Sequence, residues 1–128
     1  MSEFPIFSVL GIEIEYMLVD KNTLDVQPKS DLILKKLAGE QVNEVELGDI
    51  AISNELVMHV LEFKTQGPKR PEEPISAQFL EAIKRVQPNL DELDLILLPG
   101  GAHPWMNPHK ETIRWPHDQN DIYDKYHD

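Results

Sequence analysis

Apolar and polar residues alternate along residues 6 to 19. Leu10, Ile12, Ile14, Tyr16 and Leu18 fall on one side, and Gly11, Glu13, Glu15, Met17 and Val19 on the other. A period of two predicts a strand there, with both glutamates on one face. The Asp- and Asn-rich "DKNTLD" that follows reads as a turn. "LILKKLA" predicts a short helix with Ser30 or Asp31 as N-cap and Gly39 at its end. "NEVELGDIAIS" predicts two short strands about a Gly48-Asp49 turn, and "LVMHVLEFKT", 56 to 65, a further strand with Met58, Val60, Glu62 and Lys64 on one face.

Ile75, Phe79, Ile83, Val86, Leu90 and Leu93 recur at helical spacing and form one stripe. Pro88 lies inside it, which predicts a bent helix or two helices stacked end to end. "DLILLPGG" reads as a buried strand closed by a Pro-Gly-Gly turn. From Ala102 onward the chain is dense in His, Pro, Trp and Asp without a period, as in a long functional loop, until "DIYDKYHD" begins to look helical. Strands joined by hairpins and a helical crossover predict an α+β fold, a mainly antiparallel sheet with flanking helices, in a single domain over residues 1–128.

Charge narrows the partners. A formal net charge of −11 argues against nucleic acid, which needs clustered Lys and Arg. Concentrated at a site, the same acidity suits divalent cations and the phosphates they carry. The absence of cysteine excludes disulfides and thiolate chemistry and favours an intracellular location. No apolar run approaches the roughly 20 residues of a membrane span, and "MSEFPIF" lacks the features of a signal peptide. The expectation is a soluble, cytoplasmic protein without a membrane partner.

Glu13 and Glu15, about 6.5 to 7 Å apart along a strand, suit two hard cations sharing a cluster, since Mg²⁺ takes one or two carboxylates plus waters and phosphates. The solvent face of an edge strand would show the same pattern. Glu62 stands where a core residue is expected, and Glu55 lies seven positions earlier, an odd separation that puts the two on opposite faces of a regular strand. They share a site only if "SNEL" turns or bulges first.

Among the five histidines, His59, with Val57, Leu61 and Phe63 on its strand face, reads as a packed residue with one hydrogen bond. His103, His109 and His117 match no compact zinc pattern, and His127 completes the set. His103 follows a Gly-Gly turn and precedes Pro104, a position that offers its imidazole to a cleft. Arg114, between Ile113 and Trp115, is either a surface residue stacked on the indole or a fork for a carboxylate or phosphate.

"GIEIEYMLVD", "ELVMHVLEFKT" and "LLPGGAHPW", in that order and at those separations, resemble the amino-terminal half of bacterial glutamate-cysteine ligases and the related carboxylate-amine ligases of the glutamine synthetase superfamily. The resemblance covers residues 10 to 115 and implies half of a glutamine-synthetase-like catalytic fold. It implies metal ligation by Glu13, Glu15 and Glu62, with Glu55 in a further acidic position. His103 is implied at the metal and acyl-phosphate end, and Thr65 in the amino-acid pocket.

The implied reaction is dependent on ATP and on Mg²⁺ or Mn²⁺. A carboxylate of glutamate or a similar acid is phosphorylated, and an amine such as cysteine displaces the phosphate to form an amide. Members of that family are substantially longer, and their later strands supply a further metal-binding carboxylate and phosphate-binding arginines. "GGAHP" also stands where a Gly-Thr turn is often found. The chain is therefore expected to be an amino-terminal portion or a cut-down relative with an incomplete active site. The rival readings are a non-catalytic binding or regulatory domain that keeps the fold, and a hydrolase using two glutamates as acid and base. Exposed strand edges are compatible with a homo-oligomer.

Overall fold

The computed structural model describes residues 3–118 and 121–125. Five strands form one sheet: β1 (Glu13–Asp20), β2 (Glu44–Leu47), β3 (Ile50–Asn54), β4 (Val60–Thr65) and β5 (Leu95–Pro99). Their order is β2-β3-β4-β1-β5, and every neighbouring pair is antiparallel. Helices α1 (Ser30–Ala38) and α2 (Ile75–Glu92) pack against each other and against this sheet, and two short helices, α3 (Pro108–Glu111) and α4 (Asp121–Lys125), lie beyond β5 in the chain. The fold is α+β with an antiparallel sheet and flanking helices, as the sequence pattern predicts.

Alternation sorts each strand into two faces. Leu18, Ile52, Leu61, Phe63 and Leu95 point to the side covered by the helices and join Ile33, Leu34, Phe79, Val86 and Leu90 in the main core. The registers place Glu13, Glu15, Met17, Glu62, Lys64, Ser53 and Glu44 on the other side. Part of that open face carries a smaller apolar cluster of Met17, Val19 and Val26, flanked by Val60, Leu98 and Met106.

The first strand begins at Glu13 rather than at residue 6, and residues 4–7 are exposed. The fourth strand begins at Val60 rather than 56, because residues 56–59 form a connection. There the Met58 N–H donates to the Ile113 carbonyl, the Ser30 N–H to that of Met58, and the Leu18 N–H to that of His59. Helix α1 ends at Gly39, whose φ of 84° is left-handed and costs glycine little. It starts one or two residues earlier than a Ser30 or Asp31 cap would place it: Lys29 is the N-cap and no side chain caps it. Pro88 sits within a single helix, α2, rather than between two, and Phe79, Ala82, Val86 and Leu90 stay buried along it. Gly48, with φ 75°, allows the tight β2–β3 turn.

Candidate metal centre

Three carboxylates converge on the open face. One oxygen each from Glu15, Glu55 and Glu62 lies within 4.8 Å of the other two. Glu15 and Glu62 are directly opposed partners across β1 and β4. Glu55 joins them because the chain reverses: it follows the last residue of β3, and β3 pairs with β4 so that Ser53 faces Glu62. An antiparallel reversal exchanges odd and even positions, so a separation of seven places both residues on one face. The condition attached to "SNEL" is met by a turn between two strands.

Hydrogen bonds hold two of the three carboxylates. Glu62 Oε1 accepts from the Ser53 hydroxyl at 3.2 Å and lies 3.5 Å from Lys64 Nζ. Glu55 Oε2 accepts the Leu56 N–H at 3.0 Å. Partial burial pushes the Glu55 carboxyl above its ordinary value of 4.5. The Leu56 N–H pulls it back, while the Glu62 carboxylate and then that of Glu15 push it further up. Like charges directly opposed in a sheet are destabilising, and Lys64 is the single ammonium in ion-pair reach of the three among the described residues.

An all-oxygen donor set of this charge fits a hard divalent cation. Oxygens around one Mg²⁺ stand about 3 to 4 Å apart, so small side-chain adjustments suffice to close the group. Glu13 shares the face but stays outside the group, opposite Lys64 in the register. Lys64 turns the other way and pairs with Glu44 at 2.7 Å, across the small side chains of Ala51 and Ser53. Burial works against its charge, but the hydrogen bond to Glu44 and the charges of Glu44 and Glu62 hold the ammonium above its usual value.

The other expected site residues are not part of the carboxylate group. His103 lies in the wall of a cavity beside Glu15 and Glu55, but both its ring nitrogens are engaged. Nδ1 accepts the N–H groups of Trp105 and Met106 at 3.3 and 3.2 Å, which leaves Nε2 to donate to the Leu24 carbonyl at 2.7 Å. His103 thereby clamps the loop after β5 onto the turn after β1. Trp105 reinforces the clamp by donating from Nε1 to Asp25 at 2.9 Å.

Thr65 accepts the Ile12 N–H through its hydroxyl at 3.1 Å, and lines a separate cavity with Glu13 and Lys64. Arg114 pairs with Asp124 at 2.8 Å, and its neighbour Trp115 stacks edge-on against His117 rather than serving as a platform for the guanidinium. Glu55 and Tyr123 line the same cavity as Arg114. His109 and His117 form no ligand group with His103 among the described residues; the backbone N–H of His109 donates to Asn107 Oδ1, and His117 Nε2 meets Asp31 at 2.9 Å. His127 lies outside the described residues.

Two residues acquire importance only from the fold. Lys64 is visible in sequence as a charge on the Glu62 face, but its partner Glu44 is two strands away. His59 is 6% exposed and lines the cavity beside the triad, yet its Nδ1 has no hydrogen-bond partner among the described residues, where a satisfied nitrogen was expected. Burial, then the neighbouring His103, lowers its pKa below the usual 6.5.

These features define an α+β protein with a carboxylate-lined sheet face able to accept a metal ion. The chain belongs to glutamate-cysteine ligase family 2, whose model matches residues 9–128. A relative in Archaeoglobus fulgidus, described as an uncharacterized protein, is 38% identical over 120 residues. The match covers 92% of this chain and 31% of that relative's length. No solved structure matches the chain. Among the described residues, no helix is long and apolar enough to cross a membrane.

Proposed function

We propose that this chain supplies the cation-binding sheet of an ATP- and Mg²⁺-dependent carboxylate-amine ligase, with Glu15, Glu55 and Glu62 as the ligands. The convergence of those three carboxylates from β1, the end of β3 and β4 carries the reading. Family membership supports ligase chemistry, in which a glutamate-like acid is activated as an acyl-phosphate and captured by an amine such as cysteine. Magnesium bound there would neutralise the crowded carboxylate and phosphate oxygens of such a reaction.

The chain's own residues prepare that chemistry. Ser53 and the Leu56 N–H each hold one oxygen, of Glu62 and of Glu55 respectively, and so limit the rotation of two of the three carboxylates. Glu13 extends the acidic face toward the cavity lined by Lys64 and Thr65, where it can receive a second cation or an ammonium group. His103 holds the loop that borders the triad rather than handling a proton.

Mn²⁺ titration followed by electron paramagnetic resonance tests the reading. The chain is expected to bind Mn²⁺ in competition with Mg²⁺, and Glu62→Gln to weaken binding at least tenfold. Equal Mn²⁺ binding by Glu62→Gln would remove the triad from the account. ATP-dependent phosphate release by the encoded protein, stimulated by glutamate together with an amine, distinguishes the ligase from a binding domain that keeps only the metal site.

A further inference from the structure

Glu15 and Glu62 are fixed by strand register, whereas Glu55 stands in the connection between β3 and β4. Two backbone hydrogen bonds hold the leg that follows it. The Met58 N–H donates to the Ile113 carbonyl at 2.8 Å and the Trp115 N–H to the Leu56 carbonyl at 2.9 Å, with Val57 and Arg114 paired between them. Trp115 anchors this pairing, because it is 1% exposed and belongs to the main core.

The leg before Glu55 is held by the same part of the chain. Asn54 closes β3, and its side-chain amide donates to the Glu55 carbonyl at 3.3 Å and to the Tyr123 hydroxyl at 3.4 Å. Tyr123 lies on α4, which the Arg114–Asp124 pair at 2.8 Å fastens to residues 112–115. Thr112, Arg114 and Tyr123 share with Glu55 and Val57 the wall of a cavity of about 630 Å³. Residues 112–115 and α4 therefore grip the Glu55 reversal at both ends. That grip works against charge, because it keeps Glu55 beside two other carboxylates, and Lys64, 3.5 Å from Glu62, offsets only part of the repulsion.

We propose that residues 112–115 and α4 form a strap whose docking presents Glu55 to the cation, with Arg114 as the positioning residue that fastens it. This rests on the metal site argued above and adds a linkage to it. Two ligands are preset by the sheet, and the third is delivered by a later stretch of chain. A cation held by all three carboxylates turns their mutual repulsion into attraction to a shared charge, and so favours the docked strap. By reciprocity the docked strap tightens the cation by the same factor.

Arg114→Met separates the strap from simple electrostatics, because the two predict opposite signs. The Arg114 side chain is 38% exposed, so the core survives its loss. Removing a positive charge from the cavity beside Glu55 would by itself draw the cation in more tightly. Releasing the strap instead weakens Mn²⁺ binding, by roughly two- to fivefold for the loss of a partly exposed ion pair. Arg114→Lys is expected to restore most of the affinity, and Tyr123→Phe, which changes no charge, to weaken Mn²⁺ in the same direction as Arg114→Met. Hydrogen exchange at the Met58 and Trp115 amides reads the strap directly. Both are expected to exchange faster in Arg114→Met and, in the parent, more slowly once Mg²⁺ is added. Mn²⁺ bound equally or more tightly by Arg114→Met overturns the proposal, as does unchanged exchange of the two amides in that variant. Failure of Mn²⁺ to bind the parent removes the metal site and the strap's role together, whereas binding that survives release of the strap removes the strap's role alone.

Discussion

The two faces of the sheet are made from the same strands and obey opposite rules. On the covered face, Leu18, Ile52, Leu61 and Phe63 are fully buried against α1 and α2. On the open face, the alternate positions of the same strands set Glu15 against Glu62 and bring Glu55 to both. One face gains stability from each neighbour it adds; the other brings together charges that repel. The difference teaches that the covered face supports a site it does not touch. Strands pinned from behind by apolar packing can hold carboxylates where free strands would part.

The contrast is sharpest when each face loses a side chain. Phe63→Ala removes a fully buried ring that packs edge-on against Tyr16, and is expected to cost about 3 to 5 kcal/mol. Denaturant unfolding should show this loss whether or not Mg²⁺ is present. Its open-face counterpart, Glu62→Gln, relieves a like-charge pair and should leave the cation-free protein as stable as the parent or slightly more so. Mg²⁺ should stabilise the parent and have little effect on that variant. A large loss of cation-free stability in Glu62→Gln would break the division between a face that folds and a face that binds.

Acidity probes the open face with opposing signs. The Glu55 carboxyl is raised above 4.5 in the folded state, so between 4.5 and that raised value the folded chain binds more protons than the unfolded one. Its contribution to stability therefore grows as pH falls through this window. His59 is lowered below 6.5, so the folded chain there binds fewer protons than the unfolded one. Its contribution is lost as pH falls from 6.5 toward the lowered value. Unfolding curves are expected to separate the two: Glu55→Gln removes the gain on the acid side, and His59→Phe removes the loss below 6.5. A saturating divalent cation should reverse the Glu55 effect, because protons and metal compete for one carboxylate.

Much of the covered face could be read from the sequence, since periods of two and 3.6 follow directly from geometry. The stripe from Ile75 to Leu90 is buried as its spacing implies, and Pro88 does not break it. The open face was readable only within a strand: Glu13 and Glu15 share a side, as alternation requires. Between strands the reading depended on where the chain reverses. Placing residues 56 to 59 in a strand puts Glu55 on the wrong side of Glu62, whereas a reversal there restores it. The contacts of His103 and Arg114 were hidden for a related reason. Their partners, Leu24 and Asp124, are chosen by loop packing, which has no period.

Lys64 gives the smallest and most discriminating test, because among the described residues it is the cation in ion-pair reach of the triad. Its bridge to Glu44 is partly exposed, and pairs of that kind contribute about 0.2 to 1 kcal/mol. Lys64→Met should therefore alter unfolding stability by less than about 1 kcal/mol. Two effects on cation binding compete. Removing the ammonium deletes a positive charge 3.5 Å from Glu62, which favours the incoming metal; it also removes a contact that orients that carboxylate. The Ser53 hydroxyl is nearer, at 3.2 Å, and holds the same oxygen, so orientation should survive and electrostatics should decide. Mn²⁺ is expected to bind the variant several-fold more tightly at low ionic strength, with the gain shrinking as salt screens the charge. Weaker Mn²⁺ binding by Lys64→Met would show that Glu62 depends on its lysine for aim, and that the open face is built by ion pairing as much as by the packing behind it.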